Sequence, residues 1–393
     1  MRCLKDLDLK GKPVFLRVDF NVPLDENCKI TDDTRIKAVL PTLNYLINNK
    51  CKIILASHLG RPKGKCNPKL SLKPVAERLS ELIVPEVILA SGVIGEHVEK
   101  LKVDLKENQV LLLENLRFHE EETRNDEDFA RKLAHGVDSY VNDAFGACHR
   151  KHASVMAITH YVENSAAGFL VEKEIKYLDE VIHFPQKPYV VILGGVKVSD
   201  KIPVIENLLN KASDILIGGA MAYTFLKSQD FNVGLSLVEE DKKETAINIL
   251  NMAKKKGVNF YLPEDHIIAS ELSSEAAEST IENSPIPSDF MALDIGPRTA
   301  KKYSDIIAKA KTIFWNGPMG VFEIEKFSHG TVKIAEAIAR SEALSIVGGG
   351  DTIAAIYKTG VSEKISHIST GGGAALEYVA KETLPGIEAL KEK

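Results

Sequence analysis

Several features that would assign the chain to a common class are missing from its 393 residues. No apolar run reaches the length of about 18 residues that a membrane-spanning helix needs. The first residues, MRCLKDLDLKGK, carry charges where a signal peptide needs an apolar stretch, so we expect a cytoplasmic protein. The five cysteines form no CxxC pair, which favours free thiols over a zinc site or a disulfide framework. The net charge of -5 gives no reason to expect binding to nucleic acid.

Two common nucleotide-binding fingerprints are also missing. The phosphate-binding motif GxxxxGK[ST] does not occur, because GRPKGK at 60–65 is one residue too short and lacks the Ser or Thr. The dinucleotide motif GxGxxG does not occur either. Any phosphate site in this chain therefore has to be built in another way.

The chain contains apolar runs that alternate with helical patterns. A length of 393 residues predicts two or three domains. Near-continuous apolar runs joined by helices predict parallel sheets covered on both faces, and thus doubly wound α/β domains. The predicted strands are 13–18, 52–56, 110–113 and 138–141 in the first half, and 189–193, 214–217, 258–262, 312–315, 344–347 and 367–369 in the second.

A helical stretch separates the two halves. Residues 165–184 have a partly apolar stripe at helical spacing, and Pro185 and Pro188 end the pattern. This predicts a first domain over 1–164, an interdomain helix over 165–184 and a second domain over 185–372. The tail, 373–393, reads as helical with a break at Pro385.

The second half ends several strands in glycine. Glycines after a strand let the backbone approach a phosphate, and the next helix N-terminus supplies N–H donors, although a glycine pair alone equally marks a tight turn. Lys197 and Lys201 follow one such pair, where they would point into the crevice rather than serve as ordinary surface lysines. Asp351 follows three glycines and could cap a helix, with Thr352, or hold Mg²⁺. Glu323 could accept ribose hydroxyls, or could have no such role.

The first half ends its strands in cationic and hydroxyl-binding side chains. Asp19 and Asn21 lie near Pro23, where they either bind hydroxyls or form a turn. Arginine binds phosphate and carboxylate in bidentate fashion, although each arginine could instead be a surface ion-pair partner. The five residues expected to form a cationic cradle are Arg35, His58, Arg61, Arg117 and Arg150.

These motifs together resemble bacterial phosphoglycerate kinase along essentially the whole chain. The matching stretches are RVDFNVP (17–23), SHLGRP (57–62), ENLRFH (114–119), NDAFG with HR (142–150), GGVKVSDK (194–201), GGAMAYTF (218–225), LDIGP (293–297), WNGPMGVFE (315–323) and GGGDT (348–352). The resemblance implies two Rossmann-like domains joined by a helix, with the tail returning to the first domain. It implies a monomer that transfers a phosphoryl group reversibly from 1,3-bisphosphoglycerate to Mg-ADP, giving 3-phosphoglycerate and ATP.

The resemblance also implies roles for single residues. Those expected to bind phosphoglycerate are Asp19, Asn21, Arg35, His58, Arg61, Arg117 and Arg150. Those expected to bind ADP or ATP are Lys197, Lys201, Ala292, Asn316, Glu323, Gly349, Gly350, Asp351 and Thr352, with Asp351 carrying Mg²⁺ and with Gly372 and Gly373 near the phosphates.

The chain departs from the family pattern at three small residues. Cys148 and Val196 stand where the family commonly has alanine, and Ala292 where it has glycine. Cys148 is interpreted as a buried small residue, with an oxidisable thiol at the rim of the active site as the alternative.

The reaction needs no general base, because the acceptor carboxylate is already ionised at neutral pH. Catalysis then consists of positioning and charge stabilisation, for which Arg35, Lys197 and the N–H groups of Gly372 and Gly373 are the candidates. A hinge closure around 165–184 would exclude water. Two other readings are a two-domain dehydrogenase, which lacks its fingerprint, and a two-lobed binding protein for an anion, which would not need the nucleotide half.

Overall fold

The computed structural model describes residues 1–107, 109–282 and 285–391. The chain divides into two compact units. Unit 1 comprises Met1–Lys176 and the C-terminal segment from Thr383, and unit 2 comprises Tyr177–Glu382. The predicted tail, 373–393, includes residues 392 and 393, which lie outside the described residues. Within the described ranges, no helix is both long and apolar enough to cross a membrane.

The described residues of unit 1 form a parallel sheet of six strands. Its strands are β1 (Pro13–Val18), β2 (Lys52–Ala56), β3 (Val87–Leu89), β4 (Val110–Leu112), β5 (Ser139–Asp143) and β6 (Asn164–Ala167). Their order is β3-β4-β2-β1-β5-β6. Strands β1, β2, β4 and β5 match apolar runs of the sequence, and their side chains are almost entirely buried because helices cover both faces of the sheet. The chain order reverses between β1 and β5, which places a ligand crevice at their carboxyl ends.

The helices of unit 1 connect these strands. They are α1 (Thr34–Asn48), α2 (Lys73–Leu82), α3 (Glu96–Asp104), α4 (Glu120–Thr123) and α5 (Glu127–Ala134). The next helix, α6 (Phe169–Ile182), begins in unit 1 and ends in unit 2. Pro41 lies inside α1. The predicted helix over 165–184 was wrong at its start, because Asn164–Ala167 pairs with β5 as an edge strand. Asp143 at the end of β5 then accepts the N–H groups of Leu170 and Val171 in the first turn of α6.

The described residues of unit 2 form a second parallel sheet of six strands and a small antiparallel sheet. The parallel strands are β7 (Tyr189–Leu193), β8 (Asp214–Ile217), β9 (Asn259–Tyr261), β13 (Thr312–Asn316), β14 (Leu344–Gly348) and β15 (His367–Ile368), in the order β15-β14-β13-β7-β8-β9. The antiparallel strands are β10 (Asp265–Ala269), β11 (Glu278–Glu282) and β12 (Met291–Ile295). The prediction of two doubly wound parallel sheets is confirmed, and the antiparallel sheet was not predicted. The chain order reverses between β13 and β7, so the second crevice lies at their carboxyl ends.

The helices of unit 2 are α7 (Ile202–Leu208), α8 (Met221–Lys227), α9 (Lys243–Lys256), α10 (Pro297–Ile307), α11 (His329–Arg340), α12 (Gly350–Thr359) and α13 (Gly373–Lys381). The last helix, α14 (Pro385–Lys391), belongs to unit 1. Within unit 1 the N–H of Gly386 donates to the Cys148 carbonyl at 2.9 Å, which ties α14 to the loop after β5. Pro385 begins this helix, so the predicted break is where the sequence indicates it.

Candidate active site

The loop after β1 presents Asp19 and Asn21 at the crevice of unit 1. Asp19 is 8% exposed, and its Oδ1 accepts the Asn21 N–H at 3.1 Å. Its Oδ2 accepts a bond from Arg35 Nη1 at 2.9 Å, because Arg35 lies in the first turn of α1. Burial raises the pKa of the Asp19 carboxyl, but the positive and hydrogen-bonding groups beside it, which include Arg35, Arg17 and the Asn21 N–H, more than offset this and leave the pKa below its ordinary value. Asp19 is therefore ionised at neutral pH.

The loop after β2 connects the loop that carries Asp19 and Asn21 to Arg117. The Gly60 N–H donates to Asn21 Oδ1 at 2.8 Å, and the Gly60 carbonyl accepts Arg117 Nη1 at 2.8 Å. His58 precedes this turn and is 4% exposed, with its Nε2 at 3.8 Å from Asp19 Oδ1. The loops after β1, β2 and β4 thus share one edge of the sheet, as the predicted parallel strands require.

Three of the predicted arginines line one cleft of about 410 Å³ in unit 1, together with Lys63, Gly64, Glu120, Thr123 and Arg124. Arg61 is exposed, Arg150 is half-buried and Arg117 is buried. Burial lowers the pKa of Arg117 to about 10, with Arg17 and Arg150 adding to the effect, so Arg117 is still charged at neutral pH. Its buried Nε donates to no group in the described part of the chain, which leaves one strong donor for an anion.

The glycines of unit 2 allow two of its loops to touch. A Cβ at Gly194 would lie 2.1 Å from the Pro318 carbonyl oxygen, and a Cβ at Gly317 would lie 2.2 Å from the Gly194 oxygen. The loops after β7 and β13 are therefore held backbone against backbone, which no larger residue permits. Both border a pocket of about 330 Å³.

Most of the residues predicted to bind nucleotide line this pocket. Those that line it are Lys197, Lys201, Asn316, Gly349, Gly350, Asp351, Thr352, Gly372 and Gly373. Helices α12 and α13 both begin at the pocket, and a Cβ at Gly350, Gly372 or Gly373 would meet no atom of the described residues within 4 Å. Two helix N-termini with open space before them are suited to binding an anion through their backbone N–H groups.

Lys201 and Asn316 form the polar floor of the pocket. The Lys201 ammonium donates to Asn316 Oδ1, and burial lowers the pKa of Lys201 to about 8 although Asp200 and Asp351 oppose the shift. The buried Nδ2 of Asn316 donates to no described group, and it faces the position of Gly349. Lys197, in contrast, is exposed. Both Asn316 and Lys201 can donate to an anionic oxygen.

Thr352 and Asp351 lie in the first turn of α12. The Thr352 hydroxyl accepts the Gly317 N–H at 2.7 Å and so fixes the helix start to the loop after β13. Asp351 is exposed at the pocket. No cluster of three side chains suited to a metal is found among the residues that the structure describes. Mg²⁺ at phosphate sites commonly uses one or two carboxylates plus phosphate oxygens, so a single Asp351 fits that ion.

Two predicted residues lie outside this pocket. Glu323 lines a separate cavity of about 310 Å³ with Phe322 and Lys358. Ala292 lies on β12, where its N–H donates to Ser236 Oγ at 3.0 Å and its side chain packs with Tyr223 and Ile268. The structure therefore groups neither residue with the lysines, and their roles stay predictions.

Cys148 is fully buried beneath the loop after β5. Its Sγ lies 3.4 Å from the Ala144 carbonyl oxygen, and burial raises the pKa of the thiol to about 12. Both observations fit a small structural residue rather than a reactive thiol.

Sequence reasoning missed a buried ionic network under the cleft of unit 1. Arg17 and Glu122 are both fully buried, with Arg17 Nη2 at 3.9 Å from Glu122 Oε1. A charged residue inside the apolar run PVFLRV is the sequence signal for such a pair, because a buried charge requires a partner.

Known proteins are similar to this chain in sequence and in fold. A sequence model of the phosphoglycerate kinase family matches residues 4–382. The phosphoglycerate kinase of Acidobacterium capsulatum is 55% identical over 399 aligned residues, covering 99% of each chain, and that of Clostridium botulinum strain Langeland is 50% identical over 394, covering 100% of this chain and 99% of the relative.

Solved structures agree with these relatives. The phosphoglycerate kinase of Coxiella burnetii matches with a TM-score of 0.89 at 40% identity, and that of Pyrococcus horikoshii with 0.87 at 36%. Each match covers 100% of this chain and 98% of the other. With full-length similarity in sequence and in fold, this chain belongs to the phosphoglycerate kinase family.

Proposed function

We propose that the chain transfers a phosphoryl group reversibly from 1,3-bisphosphoglycerate to Mg-ADP, giving 3-phosphoglycerate and ATP. One observation carries the proposal: each unit has its own cavity at the carboxyl edge of its parallel sheet, lined by arginines in unit 1 and by glycines, helix starts and lysines in unit 2. A transferase that moves a phosphoryl group between two anionic substrates needs two such sites.

The site of unit 1 takes the phosphoglycerate. Arg61, Arg117 and Arg150 bind its phosphate, and the unpaired Nε of Arg117 completes its hydrogen bonding there. Asp19 and Asn21 bind hydroxyl and carboxylate oxygens through donors and acceptors that the loop already orients. His58 and Arg35 complete this cradle.

The pocket of unit 2 takes ADP or ATP. Phosphate oxygens accept bonds from Lys201, Asn316 Nδ2 and the first N–H groups of α12. Asp351 and the phosphates would hold Mg²⁺, which would supply positive charge to the transferring group. Glu323 and Ala292 lie beyond this pocket and take the ribose and the adenine.

Chemistry at the reacting atoms is electrostatic. The carboxylate of 3-phosphoglycerate is already ionised, so no side chain has to remove a proton. Arg35 and Lys197 stabilise the charge on the phosphoryl group during in-line transfer, with N–H groups of Gly372 and Gly373 as further donors. No described residue has to form a covalent intermediate in this scheme.

Transfer also requires that water be excluded, because an acyl phosphate hydrolyses readily. We therefore infer a hinge closure around α6, driven by both substrates together. Solution scattering is expected to show compaction when both substrates are bound. An unchanged radius of gyration with both substrates present would contradict the closure.

A coupled assay for ATP consumption that depends on 3-phosphoglycerate tests the activity. A dehydrogenase would instead consume a nicotinamide cofactor, and a binding protein would consume nothing. We expect ATP to be consumed at all ordinary concentrations of the substrates. A lack of ATP consumption would contradict the proposal. Gel filtration of the same sample tests the expected monomer, and fractionation tests the expected cytoplasmic location.

A further inference from the structure

Arg17 is a fully buried cation that touches a predicted site residue. It lies on β1, and its guanidinium donates through Nε to Ser154 Oγ at 2.8 Å and through Nη1 to the Val18 carbonyl. Its Nη2 lies 3.3 Å from Nδ1 of His58. Arg17 therefore contacts His58 at Nδ1, whereas Asp19 lies near the other ring nitrogen, Nε2.

The chemistry of the two groups decides which nitrogen of His58 carries a proton. A guanidinium has donors and no acceptor, and it stays charged at all ordinary pH values. His58 Nδ1 can therefore meet Arg17 Nη2 as an acceptor alone, because an N–H there would point at another N–H. The proton of a neutral ring is then on Nε2, which faces the acceptor Oδ1 of Asp19 at 3.8 Å.

We propose that Arg17 is a positioning residue that holds His58 as the neutral Nε2–H tautomer, so that His58 is a hydrogen-bond donor in the cradle and not one of its cations. The role of this donor towards phosphoglycerate rests on the proposed function. The tautomer itself does not, because it follows from contacts inside unit 1.

The surroundings of His58 oppose a charge on its ring. Burial lowers the pKa of His58 well below its ordinary value, Arg17 and Arg117 lower it further, and Asp19 and Glu122 oppose the shift without cancelling it. These charged groups face the ring from β1, from the loops after β1 and β4, and from α4. A second cation beside Arg17 would have to be buried in a low dielectric, which is costly.

Arg17 is itself held in place by the network behind it. Glu122 Oε1 accepts the Ser154 hydroxyl at 2.6 Å, and its Oε2 accepts the Ser154 N–H at 2.9 Å. His152 Nδ1 lies 3.5 Å from the same carboxylate. Although burial raises the pKa of Glu122, His152 and Arg17 lower it to about 2, so the carboxylate stays ionised and neutralises Arg17. The guanidinium therefore cannot turn away from His58 without losing these partners.

A neutral donor has a functional consequence. A charged histidine would lose its proton near pH 6.5 and would make substrate binding depend on pH in that range. A neutral Nε2–H keeps the same bond on both sides of that pH. Binding of phosphoglycerate is therefore expected to be insensitive to histidine titration at His58.

NMR of the full-length enzyme, labelled with ¹⁵N at histidine and free of ligand, tests the tautomer. The variant His58→Gln identifies the His58 signals by their loss. We expect one protonated nitrogen at Nε2 and one bare nitrogen at Nδ1, unchanged from about pH 5 to about pH 8, a range that brackets the ordinary histidine pKa of about 6.5. A proton on Nδ1, or two protonated nitrogens near pH 6, would overturn the proposal. Neither result depends on whether the enzyme acts on phosphoglycerate.

A double variant, Arg17→Met with Glu122→Gln, tests Arg17 as the cause without leaving one buried charge unpaired. In this variant His58 is expected to populate both tautomers or to titrate within the same pH range. An unchanged, non-titrating Nε2–H tautomer in the folded double variant would show that Arg17 does not control it. If the double variant does not fold, the wild-type spectrum alone decides the tautomer.

Steady-state kinetics test whether His58 donates a hydrogen bond to phosphoglycerate. The variant His58→Gln keeps a neutral N–H near the Nε2 position and His58→Leu does not, so the KM for phosphoglycerate is expected to be roughly tenfold higher in His58→Leu than in His58→Gln. Equal KM values in the two variants would contradict the donor role. An enzyme with the expected tautomer but no turnover would refute the proposed function and leave the role of Arg17 intact.

Discussion

The proposed anion sites of the two units are built from different parts of the chain. In unit 1 long side chains converge on the cleft, with Arg61, Arg117 and Arg150 around it. In unit 2 the pocket is formed mostly by backbone, at the starts of α12 and α13, with Lys201 beneath. Side chains can surround a small ligand on several sides, whereas helix N-termini and glycines admit an extended chain of phosphates. The same fold class can thus support two kinds of recognition because the loops that follow its strands differ.

The two units also differ in the buried residues that support their sites. Unit 1 has to support a group of cations, and it does so with the buried pair Arg17 and Glu122. Unit 2 instead needs close backbone approach, as at Gly194 and Gly317. Substitutions should therefore damage unit 1 mainly through charge, whereas unit 2 should be sensitive to added volume at its glycines as well as to the charge of Lys201. Substitutions of single residues in each unit test this difference.

Replacing Arg35 by Met is expected to lower kcat by roughly 10³-fold, because its charge acts mainly on the transition state. Arg61→Met and Arg150→Met are expected to raise the KM for phosphoglycerate instead, since their contacts already exist in the bound ground state. Steady-state kinetics with both substrates varied measures the division.

Arg131→Met is the matched control, because Arg131 is an exposed arginine of unit 1 whose partner is Asp128 on the same helix. It should leave both constants at the wild-type value. If Arg35→Met changed KM alone, the assignment of Arg35 to the transition state would be wrong.

Lys201→Met is expected to raise the KM for ATP by roughly 10- to 100-fold, because a charged hydrogen bond to phosphate is lost. The pH dependence is a second signature. Burial lowers the pKa of Lys201 to about 8, so the free enzyme loses this charge as pH rises through about 8. The kcat/KM for ATP should fall above that pH in the wild type, and this fall should be absent in Lys201→Met. A pH profile that is identical in both proteins would argue against Lys201 as a phosphate ligand.

Gly350→Ala tests the backbone pocket of unit 2 because it adds the volume of one methyl group and no charge. A Cβ at Gly350 meets no atom of the described residues within 4 Å, and its backbone is not left-handed, so stability should not fall. The Cβ would occupy space intended for phosphate, and nucleotide affinity is expected to fall roughly tenfold, the loss of one good hydrogen bond.

Gly92→Ala in unit 1 is the control, because a Cβ there meets the Ile94 carbonyl oxygen at an ordinary 3.8 Å. Calorimetric titration with ATP should give the wild-type affinity for this variant. An unaltered ATP affinity in Gly350→Ala would show that the helix start does not approach the phosphates.

Cys148 should give the smallest effect of all. It is fully buried with a pKa raised by burial to about 12, whereas Cys66 is exposed. A thiol reagent under native conditions is expected to modify Cys66, to spare Cys148 and to leave activity unchanged, as mass spectrometry of the digested protein can measure. Rapid modification of Cys148 with loss of activity would support the oxidisable thiol instead.

The apolar runs predicted the main sheets well because buried parallel strands need continuous apolar residues. The run at 13–18 coincides with β1 and the run at 189–193 with β7. Strand β6 was missed because its sequence NSAA has no β-branched or large apolar residue, and β11 because ESTIE is polar and mostly exposed. Such strands are defined by their pairing partners and not by their own composition.

The candidate sites divide in the same way. Residues that follow a predicted strand, such as Asn21 and Asn316, could be found because parallel strands end at one edge of a sheet. The role of Arg17 could not be found, because it depends on contacts with Glu122 and His58, which are distant in sequence. The contact between Arg17 and Nδ1 of His58 is the reason that His58, which the sequence predicts as a cation, is proposed to be a neutral donor.

The central claim is that the side-chain site of unit 1 binds phosphoglycerate and the backbone pocket of unit 2 binds the nucleotide. Calorimetric titration of Arg150→Met and Lys201→Met, each with 3-phosphoglycerate alone and with Mg-ATP alone, tests it most directly. We predict that Arg150→Met loses affinity for 3-phosphoglycerate and keeps its affinity for Mg-ATP, and that Lys201→Met does the opposite. Equal losses for both ligands in either variant, or the reversed pattern, would contradict the account.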